Sequence, residues 1–77
     1  MIATVLQMRD YDFEADDGNI IEGVFIYLEE DTKDTKAATR RYFVSSVRLL
    51  DFVYQPVVGD RVRPVVNNGK LVDMLKA

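Results

Sequence analysis

The sequence predicts a small all-β domain of five short strands, with one short helix between strands three and four. Three observations lead to this prediction. Asn68-Gly69 separates two apolar runs, which is the strongest short-range hairpin signal in a sequence. The run 20–28 is rich in β-branched and aromatic residues, as strands are. Hydrophobic residues make up 48% of the 77 residues, which suits one folded domain over 1–77 and not a disordered tail.

The first three strands are predicted at 1–13, 20–28 and 40–46. The first is β-branched and apolar at its start and alternates with polar residues later. Asp17-Gly18 supplies a turn after it, because glycine tolerates a positive φ. Gly23 inside the second strand predicts a bulge or a bend. The polar run 29–39 is expected to be a loop.

A short helix is predicted at 46–52, with Ser45 or Ser46 as its N-cap. Val47, Leu50 and Phe52 are expected to enter the core from this helix. Strands four and five follow at 61–67 and 70–75.

This order of elements is typical of a five-stranded Greek-key barrel of the OB type. An SH3-like barrel also has five short strands and a helical turn. The helix between strands three and four favours the OB type.

The register of the first hairpin follows from which face can be buried. A three-residue loop at 16–18, with Gly18 in the left-handed position, sorts the side chains cleanly. Aliphatic pairs then form the core face: Met8 with Ile26 and Leu6 with Leu28, with Val24 beside them. The outward face carries Arg9 with Phe25, Gln7 with Tyr27, Tyr11 with Gly23, and Phe13 with Ile21.

The outward face has the composition of a platform for a single strand, because bases stack on aromatic rings and cations hold phosphates. In OB folds, strands two and three carry the ligand face. The candidate nucleic-acid-binding residues are Arg9, Tyr11, Phe25, Tyr27, Arg40, Arg41 and Tyr42. The alternative is that these aromatic residues cover the open end of a barrel or form a dimer interface.

The last hairpin also has two unlike faces if Asn68-Gly69 is its two-residue loop. Val66 opposite Leu71 and Val62 opposite Leu75 would then be core. The outward set would be Arg61, Arg63, Val65, Lys70, Val72 and Met74. This set is interpreted as a phosphate track, a subunit contact or a solvated face.

The composition argues against an enzyme. The chain has no Cys and no His, so it lacks a thiol nucleophile, an imidazole base and the usual zinc ligands. The acidic run at 10–17 does not match a calcium loop and is interpreted as a solvated hairpin tip. No cofactor, metal or small-molecule substrate is expected. The N-terminus has neither a signal peptide nor a membrane span, so a cytoplasmic protein without a membrane partner is expected.

Charge is unevenly distributed. The net charge is −3, whereas nucleic-acid-binding proteins usually show a basic footprint. The acids concentrate at 10–17 and 29–34, and the bases at Arg40, Arg41, Arg48, Arg61 and Arg63. An acidic protein can therefore still present a basic face.

The chain resembles the small single-stranded DNA-binding proteins of filamentous phages and bacterial mobile elements, the helix-destabilising type. The resemblance lies in the size, in the early first strand, and in the segments Tyr54-Gln55-Pro56-Val57-Val58-Gly59 and Tyr42-Phe43-Val44-Ser45. It implies an OB-fold dimer that binds single strands cooperatively and without sequence preference. Phe25, Tyr27 and the Arg40-Arg41-Tyr42 cluster match the family's binding residues in kind.

Two functions are therefore predicted as alternatives. The first is a non-catalytic, homodimeric protein that binds single-stranded DNA, or RNA, through the aromatic and arginine face. The second is a protein-interaction or assembly domain that uses the same face and binds no nucleic acid. The acidic net charge favours the second.

Overall fold

The computed structural model describes residues 2–30 and 38–77, and this part of the chain is mostly β, as predicted. It contains five strands and one short helix. The elements are β1 (Ala3–Glu14), β2 (Ile20–Glu30), β3 (Ala38–Ser45), α1 (Ser46–Leu50), β4 (Arg61–Asn67) and β5 (Lys70–Lys76). The predicted loop 29–39 was too long at both ends, because Glu29 and Glu30 belong to β2 and because Ala38 and Thr39 belong to β3. The rest of that predicted loop lies outside the described residues.

The strands form one antiparallel sheet in the order β3-β2-β1-β4-β5. The outer strands β3 and β5 come close to each other. Within the described residues no hydrogen-bonded ladder joins them, so the sheet is open at this seam. The same described part contains no helix that is long and apolar enough to cross a membrane.

The first hairpin has the predicted three-residue loop. Gly18 has a φ of +86°, and Ala15 N donates to Asn19 O at 2.8 Å to close the loop. The Asp17 carboxylate accepts hydrogen bonds from the backbone and side-chain nitrogens of Asn19 at 3.0 and 2.8 Å. The predicted register is therefore confirmed from Gln7 through Phe13.

The register changes at Leu6, and the predicted pairing of Leu6 with Leu28 is wrong. A β-bulge at Leu6 makes Val5 the partner of Leu28, and both of those side chains are buried. Leu6 is 42% exposed. One extra residue reverses which face the following side chains occupy. The backbone of Val5 also exchanges hydrogen bonds with Gly59 and Asp60, at 2.8 and 2.9 Å.

Helix α1 begins after the N-cap Ser45, whose Oγ accepts a hydrogen bond from Arg48 N at 3.3 Å. The helix ends at Leu50, two residues earlier than predicted. The prediction that Val47 and Leu50 enter the core is wrong, because they are 77% and 79% exposed. With so short a helix, the side that faces the core carries Leu49 instead, followed by the buried Phe52.

The last hairpin has the predicted Asn68-Gly69 turn, with φ values of 52° and 75° that define a type I′ turn. Val66 pairs with Leu71 as predicted, but Val66 remains exposed.

A bulge at Val72 then shifts the register of this hairpin by one residue. Val62 therefore faces Lys76, so its predicted pairing with Leu75 is wrong. Met74, predicted to face outward, is fully buried, and Leu75, predicted to be core, is exposed. As at Leu6, the extra residue exchanges the two faces of the strand.

The core lies on one face of the sheet. Its buried members are Ala3, Val5, Val24, Ile26, Leu28, Val44, Phe52, Val62, Leu71 and Met74. Met8 packs against this core as predicted, and so do Tyr42, Leu49 and Tyr54. The opposite face of β1, β2 and β3 is left uncovered by the described part of the chain.

Candidate functional site

The uncovered face of β1, β2 and β3 brings together five of the seven candidate binding residues. They line a groove of about 240 Å³, together with Asp10. The five are Arg9, Tyr11, Phe25, Tyr27 and Arg41. Cross-strand pairing places them there, because Arg9 lies opposite Phe25 on β1 and β2, and Tyr27 lies opposite Arg41 on β2 and β3.

The other two candidates, Arg40 and Tyr42, lie on the opposite face of β3. Successive side chains of a strand alternate between faces, so the neighbours of Arg41 point away from it. Tyr42 pairs with Ile26 and packs against the core. Arg40 forms an ion pair with Glu30, with Nε and Oε1 3.0 Å apart.

Four aromatic rings on the uncovered face contact one another, and we call them the aromatic platform. They are Tyr11, Phe13, Phe25 and Phe43. Phe43 lies 5.3 Å from both Phe13 and Phe25 between ring centroids, and Tyr11 lies 5.1 Å from Phe25. The rings are tilted or edge-to-face, which is the favoured geometry for aromatic pairs. The rings pack against one another in this way while Tyr11 and Phe13 stay 48% and 37% exposed.

Gly23 makes room for this cluster. The predicted bulge or bend at Gly23 is wrong, because it pairs regularly with Tyr11 and Ser45. A Cβ at this position would lie 2.6 Å from Cε2 of Phe43 and 2.6 Å from the carbonyl oxygen of Val44. The missing side chain therefore lets the Phe43 ring lie over the backbone of β2, within reach of β1.

Two cations flank the platform. The guanidinium carbon of Arg41 lies 4.6 Å from the centroid of the Phe25 ring, which is a cation–π contact. Arg9 lies on the far side of Phe25 and lines the same groove. Aromatic faces and guanidinium groups are thus presented side by side on one three-stranded surface.

Sequence reasoning did not include Phe13 and Phe43 among the candidate binding residues. The register of the first hairpin already placed Phe13 on the outward face, so the signal for it was present. To predict the face on which Phe43 lies, one needs the register between β2 and β3. The sequence between those strands contains no turn motif that fixes that register.

The acidic side chains of the hairpin mostly avoid the platform. Asp12 and Glu22 pair with each other on the opposite face of β1 and β2. Among residues 2–30 and 38–77, no three acidic side chains are arranged to hold a metal ion.

A scan against protein-family models, a search of curated proteins and a search of solved structures each found no match.

Proposed function

We propose that this chain is a non-catalytic protein that binds single-stranded DNA, without sequence preference, through the aromatic platform and its two flanking arginines. The observation that carries the proposal is the exposed ring cluster with the Arg41 guanidinium held over Phe25. A surface of exposed aromatic rings with two cations beside them fits a ligand that has flat apolar faces and a regular negative charge.

Stacking accounts both for the lack of sequence preference and for the selection of single strands over duplexes. Each base that stacks on an aromatic side chain contributes about 1–3 kcal/mol, and every base has a π-face. Binding of this kind is therefore tolerant of sequence. In a duplex the faces of the bases are already covered by their neighbours, so the platform would select unpaired strands.

The acidic net charge is compatible with this function because of how the charges are placed. Arg9 and Arg41 lie on the platform face, whereas Asp12 and Glu22 lie on the other face of the same hairpin. Asp10 is the one acid that lines the groove among the described residues. Local potential, and not net charge alone, governs the attraction of a polyanion to such a surface.

The fold supports the same proposal. An OB barrel has the strand order seen here, and closes where its third and fifth strands meet. In this chain β3 and β5 lie next to each other at the open seam. We propose an OB-type barrel whose ligand face is carried by β2 and β3, acting as a homodimer in the cytoplasm.

The test compares platform variants with a matched variant elsewhere on the surface. Tyr11→Ala and Phe25→Ala each remove one ring, and we expect each to weaken the binding of labelled oligothymidine by about tenfold, since 1.4 kcal/mol is a factor of ten. Val58→Ala is the control, because Val58 is more exposed than either ring and lies outside the groove. Equal affinities for all three variants, each with an unchanged circular dichroism spectrum, would contradict the proposal.

A second candidate function is protein assembly, and a separate surface favours it. Val47, Leu50 and Val53 are between 74% and 79% exposed and follow one another closely along α1 and the segment after it. Exposed apolar side chains in one region are typical of a subunit contact. If Val47→Ser with Leu50→Ser converts a dimer to a monomer in sedimentation, and wild-type protein binds no oligonucleotide, assembly is the better account.

A further inference from the structure

A second concave surface lies beside the aromatic platform, between β3, the start of α1 and the tip of the last hairpin. It has a volume of about 440 Å³, which is within the range of small-ligand sites. We call it the basic cleft. Its lining residues from β3 and α1 are Arg41, Tyr42, Phe43, Ser45 and Arg48, and the hairpin contributes Gly69, Lys70 and Leu71.

The charge of the basic cleft is the reverse of that of the whole chain. Its described lining contains the cations Arg41, Arg48 and Lys70 and no acid, although the net charge of the protein is −3. Within residues 2–30 and 38–77, none of these three cations forms an ion pair. Arg40, by contrast, is neutralised by Glu30. Like charges converging in one concavity repel each other, and a bound anion would relieve that repulsion.

Local structure fixes where two of these cations lie. The Ser45 N-cap accepts from Arg48 N at 3.3 Å, which sets the direction in which the helix and Arg48 leave β3. The type I′ turn at Asn68-Gly69 places Lys70 at the first position of β5. The cleft therefore lies at the open seam of the sheet, where β3 and β5 approach each other without a ladder in the described part of the chain.

The basic cleft is continuous with the proposed binding groove. Arg41 lines both concavities, and Phe43 belongs both to the aromatic platform and to the cleft wall. A strand whose bases stack on Phe25 and Phe43 would reach Arg48 and Lys70 by crossing the edge of β3.

From this placement we propose that the basic cleft binds backbone phosphates, and that Arg48 and Lys70 extend the nucleic-acid path from the aromatic platform across the edge of β3 to the tip of the last hairpin. This inference rests on the proposed function and adds to it a direction for the bound strand. The chemistry is that of a phosphodiester, held by two long cationic side chains at the mouth of an open cleft.

The experiment measures how the affinity for labelled oligothymidine changes with salt. The double variant Arg48→Gln with Lys70→Gln removes two cations from the basic cleft. The control, Arg63→Gln with Lys76→Gln, removes two exposed cations that do not line it. Each phosphate contact on a single strand contributes about 0.7 to the slope of log affinity against log salt. We expect the cleft variant to lower that slope by about 1.4 and the control to leave it nearly unchanged.

Three results would overturn the inference, and they are distinguishable. If wild-type protein binds and the platform variants weaken binding, but the cleft variant matches the control, the cleft is not on the path while the proposed function stands. If wild-type protein binds no oligothymidine, the proposed function and this inference fall together. If the cleft variant loses affinity for polyglutamate but keeps the wild-type salt slope for oligothymidine, the cleft binds an acidic protein segment and not the phosphates of the strand.

Discussion

At the residue scale, Gly23 decides whether the aromatic platform can form. Its missing side chain lets the Phe43 ring of β3 lie over the β2 backbone and contact Tyr11 and Phe13 of β1. The ring could rotate away from an added methyl group, but the Val44 carbonyl belongs to the backbone of β3 and cannot do so cheaply. The platform therefore depends on a residue that contributes no side chain to it.

We predict that Gly23→Ala lowers the free energy of unfolding by about 1–3 kcal/mol, the usual cost of overpacking. A urea titration followed by circular dichroism measures this change. Glu22→Ala is the control, because Glu22 is exposed on the same strand and surface changes usually stay within about 0.5 kcal/mol. If Gly23→Ala proves as stable as the control, the Phe43 ring does not pack closely on the β2 backbone at Gly23.

A second residue-scale feature is the hydrogen bond that closes the segment before β4. The Tyr54 hydroxyl donates to Oδ2 of Asp60 at 2.5 Å, and the same oxygen accepts from Val57 N at 3.1 Å. The hydrogen bond to Asp60 raises the pKa of Tyr54, and burial and the charge of Asp60 add to the rise. The folded protein therefore keeps the phenol proton at a pH where the unfolded chain loses it.

The sign of the pH effect follows from that difference. The contribution of this hydrogen bond is fully present below about pH 10, the ordinary pKa of tyrosine, and is lost as the pH rises through the folded value. We predict that the free energy of unfolding of wild-type protein falls more steeply above about pH 10 than that of Tyr54→Phe. Urea titrations of both proteins at several alkaline pH values measure this. Parallel curves would show that Tyr54 is not linked to folding.

At the scale of elements, the two β-bulges set which side chains form the core. The bulge at Val72 puts Met74 at 0% exposure and leaves Leu75 at 39%. We predict that Met74→Ala costs about 2–5 kcal/mol of unfolding free energy, the usual range for such a truncation in a core. Leu75→Ala, the matched variant from the adjacent position, should cost clearly less. The urea midpoints of the two variants measure the two costs. A larger cost for Leu75→Ala than for Met74→Ala would mean that the hairpin has no bulge.

The same elements show how far the sequence could predict the fold. Both hairpin turns contain residues that readily adopt a positive φ, Gly18 in the first and Asn68-Gly69 in the last. Their loop lengths and the residue pairs next to them were therefore predicted correctly. The bulges carry no such signal. Leu6 and Val72 are ordinary apolar residues, and only packing between distant strands selects them as the extra residue.

The candidate site was predictable to a similar extent, and for the same reason. Arg9, Tyr11, Phe25 and Tyr27 belong to the hairpin whose register the Gly18 loop fixes, and the structure brings them together. Arg40 and Tyr42 were grouped with Arg41 because they adjoin it in sequence. The register of β3 was needed to show that the neighbours of Arg41 lie on the other face.

At the scale of the whole molecule, the protein is elongated, measuring 44 × 24 × 23 Å. Strand β1 has 12 residues and so spans nearly the whole long axis, at about 3.3 Å per residue. Its first residues pair with both β2 and β4 above the core, and its later residues pair with β2 alone. One fold thus buries a core on one face of the sheet and leaves an aromatic surface uncovered on the opposite face of β1, β2 and β3.

The most direct test of this account is the binding of labelled oligothymidine to wild-type protein, followed by fluorescence anisotropy at low and at moderate salt. The account predicts binding that weakens as salt rises, with a slope that reports the phosphate contacts of Arg9, Arg41 and the basic cleft. A residual affinity at moderate salt would come from the bases stacked on the aromatic platform. No binding at low salt, where attraction to a polyanion is strongest, would contradict the account.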